Sequence, residues 1–143
     1  MTINCFLTTY PQIKKRNLNL KKKFVLFFKK KKIDIIIHLA AQAGVRYSLI
    51  NPKKYIDVNI FGFLNIIELA KEKKIKKFIY ASSSSVYGEN KKFPLSENQS
   101  LNPKNIYGLS KQMNEQIASM YSKFFDLKCI GLRFFTIYGE WGR

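Results

Sequence analysis

No glycine precedes Gly44 in this 143-residue chain, and its seven glycines never fall into a G-x-x-G-x-x-G run. That excludes a Gly-rich turn of the kind whose backbone N–H groups and following helix N-terminus cradle a pyrophosphate. Carboxylates are scarce as well, 9 Asp and Glu against 26 Lys and Arg, and the first is Asp34. An early acidic residue placed to grip an adenosine ribose is therefore missing. Cys5 and Cys129 fit neither a metal-ligand spacing nor a disulfide framework, and no metal is expected. No run reaches the ~18 apolar residues of a membrane span. The apolar patch Phe24–Phe28 is short and bracketed by lysines, unlike the core of a signal peptide. A cytoplasmic protein without a membrane partner is the expectation.

The chain is rich in cations, with a formal net charge of +17. An anionic partner is one reading of that excess, and a solvated surface is the other. Only four of the 26 cations are Arg: Arg16, Arg46, Arg133 and Arg143. Nucleic-acid readers depend on the bidentate Arg fork. The lysines gather instead at expected helix ends and loops, where they suit the negative end of a helix dipole. The composition therefore favours a solvated Lys-rich surface. At 46% hydrophobic the chain can bury one core but not two domains.

The order of elements follows from periodicity. Residues 1–32 read as a basic leader, with a partly amphipathic helix over Lys14–Lys32. Asp34–Ala41 is a continuous apolar run, as in a strand covered on both faces. Gln42–Ser48 reads as a loop, and Asn51-Pro52 marks a helix start. Apolar residues at helical spacing then run from Lys54 to Lys74, with Gly62 expected to permit close helix–sheet approach. A second strand over residues 76–83, a polar loop over 89–104, a long helix from about Asn105 to Phe125 and a strand over Leu127–Tyr138 complete the pattern. Strand, helix, strand, helix, strand at this spacing specifies a parallel sheet with right-handed crossovers.

Tyr107-Gly-Leu-Ser-Lys111 opens the long helix, and Ser82-Ser83-Ser84-Ser85 ends the strand before it. A Tyr and a Lys four apart share one helix face, and a cation beside a phenol favours the phenolate. A nearby Ser hydroxyl can bond the same substrate oxygen. Such a set moves a proton off an alcohol while a hydride leaves its carbon. Tyr-x-x-x-Lys alone is a weak signal. Its place after a polar strand end, where an open α/β sheet carries its chemistry, makes it a stronger one.

Three segments carry a resemblance: Ala81-Ser-Ser-Ser-Ser-Val-Tyr-Gly88, Tyr107-x-x-x-Lys111 and Gly131-Leu-Arg-Phe-Phe-Thr-Ile-Tyr-Gly139. The chain resembles the extended short-chain dehydrogenases/reductases, and among them the NAD-dependent nucleotide-sugar epimerases and dehydratases. His38-Leu-Ala-Ala-Gln-Ala-Gly-Val-Arg-Tyr-Ser48 and Gly139-Glu-Trp-Gly-Arg143 are similar to UDP-glucuronate 4-epimerases in particular. The resemblance spans Ile33–Arg143 and implies an α/β fold. The form expected is a partial Rossmann-like doubly wound parallel sheet, without the N-terminal phosphate-binding βα unit and the C-terminal substrate domain. On that basis residues 33–143 are a partial NAD(P)-binding epimerase domain, NAD is the cofactor, a UDP-hexuronate is the substrate, and the parent is a homodimer.

The resemblance also assigns residues. Ser83, Tyr107 and Lys111 form the catalytic set, with Tyr107 the acid/base and Lys111 also holding the nicotinamide ribose. Leu39, Ala40, Ala41, Gln42 and Ala43 pass the cofactor, where small residues let backbone approach the ligand closely, with a tightly packed βα turn as the lesser alternative. Asn59 bridges helix and strand backbone near the site, and Phe135 faces the nicotinamide or fills the core. Arg46 lies near the uronate and Arg143 near the diphosphate. Ser84, Ser85 and Thr136 hold the sugar carboxylate, which keeps a 4-keto acid from losing CO₂. Dehydratase relatives place Asp-Glu where Ser84 and Ser85 stand. Two hydroxyls supply neither acid nor base for elimination, so epimerisation through a 4-keto sugar is favoured. His38, in an apolar strand, reads as a core group.

Two departures limit this. Glu140 replaces the family's usual Pro beside the supposed diphosphate path, and the Gly-rich turn is absent. The expectation is a piece of an epimerase that keeps its catalytic set, binds NAD weakly or not at all by itself, and bares part of its sheet to solvent. Rival readings are an inactive remnant or basic binding protein, and a different epimerase, reductase or decarboxylase of the same fold.

Overall fold

The computed structural model of the protein describes residues 4–6, 33–90, 92–136 and 138–139. Four strands form one parallel sheet in the order β1 (Asn4–Phe6), β2 (Ile35–His38), β3 (Lys77–Ser83) and β4 (Lys128–Phe134). The register sets Ile36 beside Phe78 and Tyr80 beside Gly131, and it ends with Ser83 beside Phe134. Helical chain joins β2 to β3: α1 (Val45–Ile50), α2 (Pro52–Tyr55), a π-helical stretch (Ile56–Phe61) and α3 (Gly62–Glu72). A single helix, α4 (Ile106–Phe124), joins β3 to β4.

Local chemistry explains the helix ends. The Asn51 side chain accepts the Lys54 N–H at 3.3 Å, and Pro52 takes the first helical position, where no N–H is needed. Asn105 caps α4 by accepting the Gly108 N–H at 2.8 Å. Lys74, at φ 52°, turns the chain out of α3.

Helices α3 and α4 touch each other and pack on the sheet face that carries Ile36, Phe78 and Tyr80. Phe63 from α3 sits edge-on to Phe78 at 5.5 Å and to Tyr80 at 5.2 Å between ring centroids. Burying each such ring contributes roughly 1.5–3 kcal/mol. His38 lies in this aromatic group, 5.6 Å from Phe63 and 6.0 Å from Phe78, and burial holds its pKa at about 4. It is a neutral core group. The alternate residues of the pleat, including Leu132 and Phe134, point to the other face, and these two are exposed.

The structure departs from the sequence expectations in four places. Asn4–Phe6, inside the supposed leader, pairs in parallel with Ile36–His38 and satisfies part of the β2 edge. Three residues are too few to show a period. The rest of the leader, including Lys14–Lys32, lies outside the described residues. Val45–Ile50 is helical rather than loop, because Ser48 is buried with its hydroxyl donating to the Val45 carbonyl at 2.6 Å. Strand β4 stops at Phe134, short of Tyr138. A Cβ at Gly62 would meet only the Asp57 carbonyl at 3.9 Å, so no close approach requires glycine there.

Candidate active site

Every described residue singled out by sequence lies at or beyond the carboxyl ends of the strands, or on the helices flanking them. Leu39–Ala43 follows β2, Ser83–Ser85 ends β3, and Phe135 and Thr136 follow β4. Tyr107 and Lys111 occupy the first turns of α4. Arg143 lies outside the described residues.

Lys111 is 3% exposed, and its Nζ donates to the Ala81 carbonyl at 2.7 Å. That bond draws α4 against β3 and leaves two ammonium N–H groups for other acceptors. Desolvation lowers the Lys111 pKa to about 8. Its Nζ stands 6.0 Å from the centre of the Tyr107 ring. Tyr107 is half-buried and packs edge-on against Tyr55 at 6.2 Å. Ser83, nearly buried, accepts the Ser85 N–H at 3.1 Å. This bond starts a 3-10 turn over Ser84–Val86, with Ser84 and Ser85 half-buried. The Ser83 oxygen thus accepts from backbone and keeps its own proton to donate.

Gly108 lets these pieces meet. A Cβ there would lie 2.6 Å from the Ser85 carbonyl oxygen and 3.1 Å from Pro103 Cβ. The turn bearing Tyr107 can therefore approach the serine strand end only through glycine.

Asn59, 1% exposed, sits in the π-helical stretch, and such stretches concentrate at functional sites. Its Oδ1 accepts the Gln42 N–H at 2.8 Å, while its Nδ2 donates to the Gln42 carbonyl at 3.1 Å and to Ser110 Oγ at 2.9 Å. Phe135 is 56% exposed and tilts against Tyr87 at 6.4 Å, outside the buried core. Arg46, on α1, and Thr136 are exposed. The structure therefore brings Ser83, Ser84, Ser85, Tyr107 and Lys111 to one strand–helix junction, while Arg46 is exposed on α1, which itself packs against α4.

Sequence reasoning overlooked a second polar group. Glu115, one turn beyond Lys111, accepts the Ser82 hydroxyl at 2.5 Å and binds Arg133 through both carboxylate oxygens, at 2.9 and 2.8 Å. Arg133 Nη1 also donates to Tyr87 Oη at 3.0 Å and to the Glu97 carbonyl at 3.1 Å. These bonds hold the guanidinium protonated at any accessible pH. The fork fastens β4 to α4 and to the loop after β3, beside an open cleft of about 680 Å³ lined by Tyr80, Tyr87 and Phe135. No local spacing signalled it, because Ser82 and Arg133 lie 33 and 18 residues from Glu115.

A Tyr–Lys helix turn thus packs on a serine-ended strand of a parallel α/β sheet of partial Rossmann-like form. The model of the NAD dependent epimerase/dehydratase family matches residues 8–143, and the chain belongs to that family. It is 50% identical over 111 residues to Protein CapI of Staphylococcus aureus, covering 77% of this chain and 33% of the relative. It is 47% identical over 111 residues to a probable UDP-glucuronate 4-epimerase of Rhizobium meliloti, covering 77% and 33%. UDP-glucose 4-epimerase from Brucella ovis in complex with NAD superposes with a TM-score of 0.78 at 28% identity, covering 81% of this chain and 36% of that one. The chain thus spans about a third of the length of these relatives.

The family implies NAD. At the nicotinamide end the residues fit: Ala40, Ala41 and Ala43 let a ligand approach the backbone, and Lys111 keeps N–H groups to donate. The 143 residues include no Gly-rich turn of the kind that cradles a pyrophosphate.

Proposed function

We propose that this chain carries the catalytic half-site of an NAD-dependent nucleotide-sugar 4-epimerase acting on UDP-glucuronate and UDP-galacturonate. The observation carrying the reading is the junction of α4 and β3, where buried Lys111 lies one turn from Tyr107 beside the Ser83–Ser85 hydroxyls. Tyr107 takes the proton of the sugar 4-hydroxyl and later returns it. Lys111 favours the phenolate by its charge and holds the cofactor ribose. Ser83 donates to the same sugar oxygen. Bound NAD supplies the hydride acceptor and donor, with no net redox. The 4-keto sugar turns over within the site before reduction, which inverts C4. Ser84, Ser85 and Thr136 hold the uronate carboxylate, and Arg46 and Arg143 serve the uronate and diphosphate. Leu39–Ala43, Asn59 and Phe135 border the cofactor.

The rival reading is an inactive remnant of such an enzyme. Titrating the chain with NAD and then with UDP-glucuronate separates the two. NAD is expected to bind weakly. At NAD concentrations high enough to offset the poor pyrophosphate grip, UDP-galacturonate should form, and Tyr107→Phe should abolish it. No conversion at any NAD concentration would assign this chain to the remnant.

A further inference from the structure

Tyr55 and Asn59 sit four residues apart, Tyr55 at the entrance to the π-helical stretch and Asn59 inside it, and each touches the same two partners. On one side is the loop after β2. Tyr55 Oη lies 2.9 Å from the Ala43 carbonyl and 2.6 Å from the Gly44 carbonyl and donates to this pair, while Asn59 grips both backbone groups of Gln42. On the other side is the first turn of α4. The Tyr55 ring packs edge-on against the Tyr107 ring at 6.2 Å, and Asn59 Nδ2 donates to Ser110 Oγ at 2.9 Å. With Asn59 donating to it, Ser110 turns its own proton to the Tyr107 carbonyl at 2.7 Å. Tyr55, Asn59 and Ser110 are each no more than 1% exposed, and the bond between Asn59 and Ser110 is fully buried. A serine bonding back one turn is ordinary. A serine whose oxygen is also held by a buried amide on another helix has its direction fixed.

We infer that Tyr55 and Ser110 are positioning residues for Tyr107. With Asn59 they clamp the Gln42–Gly44 loop to the first turn of α4, so the loop's conformation sets where the Tyr107 phenol stands. A ligand pressing on that loop moves the phenol relative to Lys111 and Ser83 through two parallel links, a ring contact and a hydrogen-bond relay. The significance for catalysis rests on the proposed role of Tyr107, whereas the mechanical coupling does not.

The test uses the whole chain labelled with ¹³Cζ-tyrosine, with the Tyr107 signal assigned by its loss in Tyr107→Phe. Tyr55→Phe keeps the ring and removes the loop anchor. Ser110→Ala removes the relay, and Ser110→Thr restores a hydroxyl. The groups packed against the Tyr107 ring are the Lys111 ammonium, 6.0 Å from its centre, and the Tyr55 ring, 6.2 Å away. Tyr55→Phe and Ser110→Ala should each move the Tyr107 ¹³Cζ resonance at fixed pH, because each changes what packs around the phenol. Each should also speed amide exchange over residues 106–109 by about tenfold, with Ser110→Thr returning both toward wild type. A variant that lowers the melting temperature yet leaves the Tyr107 ¹³Cζ resonance and residues 106–109 unchanged overturns the inference and makes its residue a packing element only. No NAD or sugar enters these readouts. Failure of the chain to turn over UDP-glucuronate would therefore sink the proposed function and leave the clamp standing.

Discussion

The two halves of α4 face different surroundings. Its first half buries Gly108, Ser110, Lys111 and Asn114 against strand ends and loops. Its second half buries Ala118 in the aromatic core and sets Tyr121 against Glu68 of α3 by a short hydrogen bond. The second half follows ordinary helix logic, with an apolar stripe inward and cations outward. The first half buries groups that cost stability unless paired, including a lysine and an amide whose Asn114 Oδ1 has no partner among the described residues. One helix thus anchors the fold at one end and holds a buried polar cluster at the other, which is where chemistry needs pre-set groups.

Cutting into the apolar side should have the largest effect. Phe78→Ala removes a fully buried ring from the group that the second half of α4 covers. A loss of about 3–5 kcal/mol is expected in urea unfolding. A loss under about 1 kcal/mol would mean that the core does not carry the fold.

Gly108→Ala probes the polar half. The added methyl meets the Ser85 backbone at 2.6 Å, and backbone cannot swing aside. A cost of about 1–3 kcal/mol is expected, with faster exchange at both Ser85 and the first turn of α4. Full stability in this variant would show that the two segments do not meet closely in solution.

Lys111→Met sharpens the contrast through pH. Burial depresses the Lys111 pKa from 10.5 to about 8. Below about 8 the lysine is charged in both states and the full burial penalty applies. Between about 8 and 10.5 the unfolded chain holds a proton that the folded chain has released, so this group's contribution to stability rises with pH. The stability of wild type minus that of Lys111→Met should therefore climb over that window and stay flat below it. A difference independent of pH would place the ammonium in water.

The smallest effect belongs to the surface of the π-helical stretch. Lys53 and Asp57 pair at 3.2 Å, with the lysine side chain 75% exposed. Asp57→Asn should change the unfolding midpoint by less than about 0.5 kcal/mol equivalent. A larger loss would show that the acidic group supports the π geometry itself.

Much of this was legible along the chain. The apolar run Asp34–Ala41, the helical spacing of residues 54–74 and the long helical stretch from about Asn105 to Phe125 each depend on neighbours within a few residues. They gave β2, α3 and α4 with their order. The Tyr107–Lys111 pair was visible for the same reason, since a helix fixes the geometry of i and i+4. Strand β1 was not legible, because three residues carry no period. Nor was the helical state of Val45–Ile50, where the burial of Ser48 decides. The bonds that join Asn59 to Ser110 and Ser82 to Glu115 span 51 and 33 residues, and no local pattern encodes such separations.

The sequence by itself determined the element types, the parallel α/β class and the residues able to do proton chemistry, because those follow from period, capping and side-chain chemistry at short range. Only the tertiary structure decided that Lys111 is buried on the Ala81 carbonyl, that Arg133 is spent on Glu115, and that Tyr55 and Asn59 tie a loop to Tyr107. Burial and long-range pairing exist only once distant segments share the same low-dielectric space.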